Sequence, residues 1–456
     1  MKYEIEVISP VHIGSGGAIS PIEYVVEDNF YRADMDRIFE DERFDTNRFI
    51  EGAKGGALYL GRFASELAKE HVRYALDISH STKTNLQGLI GSRSSTVREF
   101  IKTKDDAYIP GSSIKGAIRT AILWWALKNN RVLFENVERY LEILLNARNL
   151  SERIRNARNL EDIKREIERN QNLKQDSDAY MDLLVMVAGG EVRKIKQKMS
   201  NLSKIRKEHV DEEIEKLVFG EDPTKDLLKT LQVSDTKTIS HEGLKVEEVR
   251  TLSIQKQVQG HDWEDFYTFV EALKPDTKMD FEISIDEFLL EGDAARELHF
   301  ESKQELVREI RKMCNEFAND FIEDEIRFFE RYNTPRELDE ILEFYKSLRE
   351  RIEENSFMLH LAWGSGWHGM TVGRLLQDHW FDFLSLRKKY QLGEIKKCKR
   401  CGTKIKGNYC PKCRRRLSPN EIRKIYPEEF PKTRRIVFEE GKPKYPLGWV
   451  KLRVGD

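Results

Sequence analysis

The chain has 456 residues, enough for two or three domains with cores of their own; 39% of them are hydrophobic and 34% are charged, a share that points to long solvated helices. Its 77 lysines and arginines nearly cancel 79 acidic residues, so whole-chain charge gives no sign of a nucleic-acid partner, and such a surface has to come from local segregation. No apolar run is long enough to span a bilayer, and the opening Met1-Lys2-Tyr3-Glu4-Ile5-Glu6-Val7 reads as a strand and not as a signal peptide, so a cytoplasmic protein with no membrane partner is expected.

Residues 3–8 alternate with the period of a half-buried strand, before Pro10, Gly14, Gly16 and Gly17 break the pattern into a glycine-rich loop that carries His12 and Ser15. A second strand is expected over 22–26 and a third around 30–33. From about 36 to 75 the pattern turns mostly helical, interrupted at Gly52, Gly55 and Gly56, and the polar run 79–95 reads as a loop or mobile linker.

YIPGSSIKGAIRT, residues 108–120, is the first stretch that suggests chemistry. Pro110 and Gly111 make a turn, Ser112 and Ser113 are placed to cap a helix, and Lys115 and Arg119 stand four residues apart on it. Two readings stay open. One is an exposed helix N-terminus beside two cations, which suits a phosphate; the other is an ordinary serine cap, with the cations as the solvated edge of an amphipathic helix that runs on through Trp124 and Trp125. From about 130 to 216 the chain is rich in Glu, Arg, Lys, Asn and Leu, and Asn-Ala-Arg-Asn-Leu at 146–150 recurs at 156–160. So short a period does not make a solenoid, and an inserted helical bundle is expected.

A short strand at 231–235 closes a first domain, 1–235. The second, 236–456, is expected to hold strands at 244–249, 252–257 and 281–285, then a helical block from about 302 to 355 broken at Asn333-Thr334-Pro335. Its loop at 363–370, Trp363-Gly364-Ser365-Gly366-Trp367-His368-Gly369-Met370, sets three glycines among aromatics. Either the backbone approaches a ligand on which Trp367 or His368 stacks, or a tight turn packs two tryptophans into a core; a helix starting at Thr371 follows.

Cys398-x-x-Cys401-Gly402 and Cys410-Pro411-x-Cys413 set two thiolate pairs on knuckle turns, the spacing of a tetrahedral four-cysteine zinc site. All four positions are protein, so the zinc is structural, stapling a small ribbon at about 396–416; a disulfide or redox pair is the alternative. Cys314, alone on a helical pattern, reads as a buried apolar residue. The stretch 398–435 carries thirteen lysines and arginines against three acids, which makes Lys432, Arg434 and Arg435 candidate RNA contacts.

The order of these features resembles the RAMP superfamily of CRISPR-associated proteins, through SPVHIGSG at 9–16, YIPGSSIKGAIR at 108–119, LVFGED at 217–222 with LQVSD at 231–235, and WGSGWHG at 363–369. Within it the chain looks most like the fifth subunits of type III-A Csm complexes, through PIEYVV at 21–26 and the ending FPKTRRIVFEEGKPKYPLGWVKL at 430–452. The resemblance implies an α+β protein of two ferredoxin-like (RNA-recognition-motif-like) domains, here with the helical insertion and the zinc ribbon added. It further implies a CRISPR RNA-binding subunit that caps the filament of backbone RAMP subunits near the 3′ end of the guide, supports its assembly and maturation, and is a candidate to recruit a host maturation nuclease. Carried over, His12, Gly14, Ser15 and Gly16 would approach RNA or a neighbouring subunit, Ser112, Ser113, Lys115 and Arg119 would meet phosphate, and Gly364, Ser365, Gly366, Trp367 and His368 would form the second loop. Two departures stand out: Ile19-Ser20-Pro21 occupies the stretch where target-cleaving backbone subunits carry an aspartate, and the cysteine pairs are not part of the superfamily's minimal pattern.

A non-catalytic RNA-binding subunit accounts for glycine loops beside cations without a catalytic constellation. The competing reading is a metal-independent endoribonuclease with His12 or His368 as general base and Lys115 stabilising the phosphate, although no second histidine near His12 in sequence completes an acid–base pair. A nucleotide-phosphate enzyme is excluded by the absence of a G-x-x-x-x-G-K-[ST] loop, since Lys115 precedes Gly116 instead of following it, and Asp34 and Asp36 read as surface residues.

Overall fold

The computed structural model describes residues 1–54, 59–173, 176–254, 260–334, 336–405 and 407–455. The expected interruptions at Gly55 and Gly56, the strand end at 255–257, the helix break at Pro335 and the ribbon cation Lys406 lie outside the described residues.

Lys2–Val7 buries Tyr3, Ile5 and Val7 on one face and is the middle of a five-stranded sheet in the order Ser356–His360, Trp449–Val454, Lys2–Val7, Lys278–Ile285, Leu231–Val233. Every pairing in it is antiparallel. A nine-stranded sheet runs Gly14–Ile19, Val97–Phe100, His261–Leu273, Leu244–Ile254, Val72–Ile78, Phe30–Ala33, Tyr24–Val26, while Thr433–Glu439 and then Lys442–Pro446 add to the other half of Leu244–Ile254. The expected division at residue 235 therefore does not coincide with a separation of sheets: both sheets take strands from either side of it, because the chain's two ends pair with each other across Lys2–Val7 and Trp449–Val454.

Helix Ile310–Tyr332 lies between the sheets and shares a core of Phe321, Phe329, Tyr345, Leu252, Ile436, Phe438 and Trp449. Helix Gly111–Asn129 puts Ile114, Ile118 and Ile122 into the main core with Ile5, Phe281 and Phe357. Burying such side chains contributes about 1.5–3 kcal/mol each, which is what fixes this helix against the five-stranded sheet.

The charged stretch from 130 onward is helical as expected, with Arg131–Arg153, Leu160–Glu168, Ser177–Ala188, Val192–Leu202 and Val210–Phe219 around a core of Tyr140, Leu144, Ile163, Tyr180, Ile195 and Met199. The repeated pentapeptide adopts two conformations: 146–150 is mid-helix, whereas in the second copy Asn159 caps Leu160–Glu168, its side chain accepting from Asp162 N at 2.8 Å.

Two local expectations fail. The run 79–95 is not a loop throughout, because Ser79 accepts from Thr82 N and starts helix His80–Gly88. The loop at 363–370 is half helical, with Gly366–Met370 followed by Gly373–His379. Among the described residues no helix is long and apolar enough to cross a membrane.

Candidate nucleic-acid interface and metal centre

The two glycine loops, from opposite ends of the chain, meet. His12 and Trp363 form a β-bridge in which Trp363 N donates to His12 O at 3.3 Å, and their rings pack edge to face at 5.6 Å. His12 itself is 2% exposed and donates from Nδ1 to Glu271 O at 2.7 Å. Burial, with Arg98 and Lys102 nearby, pushes its imidazole down to about 4 against that opposing hydrogen bond. His12 is thus a neutral pin between the loops, resting on Glu271, whose carboxylate accepts from Tyr74 Oη, Phe100 N and Lys102 Nζ. Gly14, Ser15, Gly16 and Gly17 remain exposed beyond it; Gly16 takes φ +89°, and a Cβ there would meet nothing.

Next to this junction lies a cavity of about 330 Å³, lined by the second loop, by Glu325 of helix Ile310–Tyr332, and by Arg98, Thr251, Thr268, Thr433 and Arg435 of the nine-stranded sheet. Arg98 and Arg435 both stand over the Trp363 ring, at 4.9 and 4.2 Å, and neither has a carboxylate partner among the described residues. Burial, together with the Arg98 charge, lowers the Arg435 guanidinium. The two cations destabilise each other unless an anion joins them.

The neighbouring Arg434 has a different role. Its Nε donates to both Glu325 oxygens at 2.9 and 2.7 Å, and its guanidinium lies 3.9 Å from the Phe328 ring centroid. Alternation along the strand turns Arg434 toward Glu325 in the inter-sheet core and leaves Arg435 exposed, although both line the cavity. Lys432 is half-buried beside Lys404 and lowered, by burial first and then by that neighbour.

Of the second loop, Gly364 takes φ +110° with an added Cβ 2.7 Å from Leu447 Cβ, so it packs tightly, while Gly366, at φ +66°, opens to free space. Trp367 is wedged between Gly373, whose Cβ would fall 2.1 Å from Nε1, and Phe430, edge to face at 5.3 Å. Trp367 thus packs against the chain itself on these sides while still lining the cavity. Ser365 is buried and donates to Ala362 O at 2.5 Å. His368 is 5% exposed, faces the cavity with Nδ1 3.8 Å from Glu325 Oε1, and neither ring nitrogen has a hydrogen-bond partner.

The PGSS helix stands apart. Its N-cap is Pro110, not a serine, and Gly111 N donates to Asp235 Oδ1 at 2.7 Å, so a carboxylate of the chain itself occupies the helix N-terminus; Ser112 and Ser113 lie in the first turn. Gly111 is obligatory, since a Cβ would fall 2.3 Å from Val233 O. Arg119 donates to Glu215 at 3.0 Å and Asp226 at 2.5 Å and covers Phe219 at 4.7 Å, which ties this helix to the last helix of the insertion. Lys115 is half-buried without a bonded carboxylate, lowered by burial and by Arg119.

The four cysteines converge. Cys398 and Cys413 Sγ are 3.9 Å apart, Cys401 and Cys410 Sγ 3.5 Å, and all four lie within 4.8 Å of one another. Two small hairpins hold them, Ile395–Cys398 with Ile422–Ile425 and Tyr409–Cys410 with Arg415–Arg416, over Ile405 and Leu417. Each knuckle is followed by a residue at positive φ, Gly402 at 71° and Arg414 at 52°, which turns the chain so that both sulfurs of a pair face inward. Cys314 is fully buried and far up-shifted by burial, the apolar residue expected.

The sequence signature of the RAMP superfamily matches residues 4–368, a span that includes the first glycine loop, the PGSS helix and the second loop as far as His368. The chain belongs to the RAMP superfamily. Among characterised RAMP proteins it is 23% identical over 473 aligned positions to the Csm5 protein of Methanocaldococcus jannaschii, covering 99% of this chain and 88% of that one. Two solved structures share its fold: a chain of a type III-A Csm–crRNA–target RNA ternary complex (TM-score 0.60, 24% identity, 99% of this chain and 100% of that one) and the crystal structure of T. onnurineus Csm5 (TM-score 0.54, 22% identity, 98% and 99%). The superfamily match ends before the cysteine ribbon.

Sequence reading of this RAMP chain passed over Arg98. In Val97-Arg98-Glu99-Phe100 the buried positions, Val97 and Phe100, are three apart, so strand alternation does not single Arg98 out.

Proposed function

We propose that this chain is a non-catalytic CRISPR RNA-binding subunit of a type III-A Csm effector complex, seated against a neighbouring backbone RAMP subunit near the 3′ end of the guide. The observation that carries this reading is likeness along the whole chain, 99% of it, to a chain of a complex that contains CRISPR RNA. The junction of two glycine loops beside uncompensated Arg98 and Arg435 supports it, because exposed backbone and free guanidinium groups are what a phosphate strand needs. On this reading the two sheets stand for the two ferredoxin-like halves, interleaved along the chain.

The endoribonuclease alternative is less well supported. His12 is buried and already hydrogen-bonded, and Lys115 does not line the cavity that His368 faces, so the base and the phosphate clamp which that alternative pairs do not come together.

For the cysteines we infer a structural zinc. A tetrahedron with Zn–S bonds of about 2.3 Å has edges of about 3.8 Å, and the Sγ separations of 3.5 and 3.9 Å bracket that value. The metal would replace the core that a ribbon of this size lacks. Affinity purification of the tagged chain from its own cells, with sequencing of the RNA that accompanies it, tests the reading. Repeat–spacer RNA and other Csm subunits should be enriched, and a chain recovered without either contradicts it.

A further inference from the structure

We propose that the cavity beside the loop junction takes a single nucleotide of the bound strand, its phosphate on Arg98 and Arg435 and its base edge against His368. This rests on the RNA-binding reading above and adds a position-specific contact to it.

Three observations point there independently. First, the cavity has about 330 Å³, at the small end of ligand clefts, which suits one nucleotide and not a length of strand. Second, Arg98 and Arg435 share Trp363 within 5 Å, and no carboxylate among the described residues neutralises either of them. The neighbouring Arg434 and Arg374 are compensated, by Glu325 and by Asp324 with Asp378. Third, His368 is 95% buried and lines the cavity, and among the described residues neither ring nitrogen has a hydrogen-bond partner, the Glu325 carboxylate standing 3.8 Å from Nδ1. A buried polar ring without partners is costly, and a ligand that donates and accepts removes the cost. The hydroxyls of Thr251, Thr268 and Thr433 on the cavity wall can bond ribose or phosphate oxygens.

The geometry separates two tasks. Arg98 and Arg435 are exposed and act on any sequence through charge, whereas His368 lies behind them and meets only what is turned out of the strand.

The test couples protein and RNA changes in the full chain. A single-stranded RNA of guide-like sequence is prepared with an abasic residue at each position in turn, and the affinity of every version is measured for wild type, His368→Ala, and Arg98→Gln with Arg435→Gln. For wild type, one position should lose about 5- to 100-fold on base removal, the range for a recognised base. In His368→Ala that sensitivity should vanish, while the arginine variant should lose affinity for all RNAs alike with a shallower salt dependence. Circular dichroism of the variants identifies any that fail to fold. Wild type that binds RNA but shows no sensitive position, or one that His368→Ala leaves intact, overturns the nucleotide pocket while leaving RNA binding in place. Wild type that binds none of these RNAs instead refutes the function on which the proposal rests.

Discussion

Replacing Arg434 should unfold the protein more readily. Its guanidinium is the counter-charge of Glu325, which is 1% exposed in the core between the sheets, and its Nε–H is shared between both carboxylate oxygens. Burial alone pushes the Glu325 carboxyl up, but Arg434, with His368 nearby, more than offsets this and holds it at about 2 against an ordinary 4.5. At about 1.4 kcal/mol per pH unit that difference is worth about 3 kcal/mol. The folded-state pKa is depressed, so this stability is present above about pH 4.5 and is lost as pH falls towards 2. Arg434→Ala leaves the carboxylate buried and unpaired and should cost about 3–5 kcal/mol, whereas Arg434→Met with Glu325→Gln should recover most of it. Guanidinium titration followed by tryptophan fluorescence reads both. The single variant should unfold at a clearly lower midpoint at pH 7, with the gap to wild type narrowing as pH approaches 3. Arg434→Ala with wild-type stability and weakened RNA affinity would show that this arginine is a surface contact and that the ion pair is misassigned.

The ribbon should hold one zinc per chain when purified without added metal, and Cys401→Ser with Cys413→Ser should reduce the zinc found by elemental analysis to background. Arg119→Ala should lower stability by about 1–2 kcal/mol through the lost contacts to Glu215 and Asp226, yet leave the salt dependence of RNA binding as in wild type. Lys115→Ala, if this lysine meets phosphate, should reduce that slope by about 0.7, one contact's worth for a single strand. Gly373→Ala places a methyl group against the Trp367 indole and should cost about 1–3 kcal/mol in thermal or chemical unfolding.

What could be seen in the sequence depended on how local the information was. The cysteine spacing specified its own geometry, because both knuckles are built within a few residues. Both glycine stretches stood out, but the first forms strand Gly14–Ile19 and the second is half helical, and their junction could not be read: it depends on the chain's ends pairing in one sheet and on a bridge between His12 and Trp363. Arg434 and Arg435 counted equally as basic residues, yet a single step along the strand pairs one with the buried Glu325 and sets the other over the Trp363 ring. The PGSS stretch was read correctly as a helix start, but the Asp235 carboxylate at its N-terminus and the acids around Arg119 come from distant segments. The 13-residue strand His261–Leu273 was missed because Asp262, Glu264, Asp265 and Glu271 mask its pattern; Glu271 is fully buried only because Tyr74, Phe100 and Lys102 satisfy its carboxylate.

The central claim, that this chain holds guide RNA without cutting it, is tested most directly by one gel. Purified protein is mixed with 5′-labelled guide-like RNA, with and without magnesium, and each sample is run both native and denatured. The account expects a retarded band on the native gel whose RNA is full length on the denaturing one, with or without the metal. An RNA that is never retarded, or one shortened reproducibly in a way that His12→Ala or His368→Ala abolishes, would contradict it.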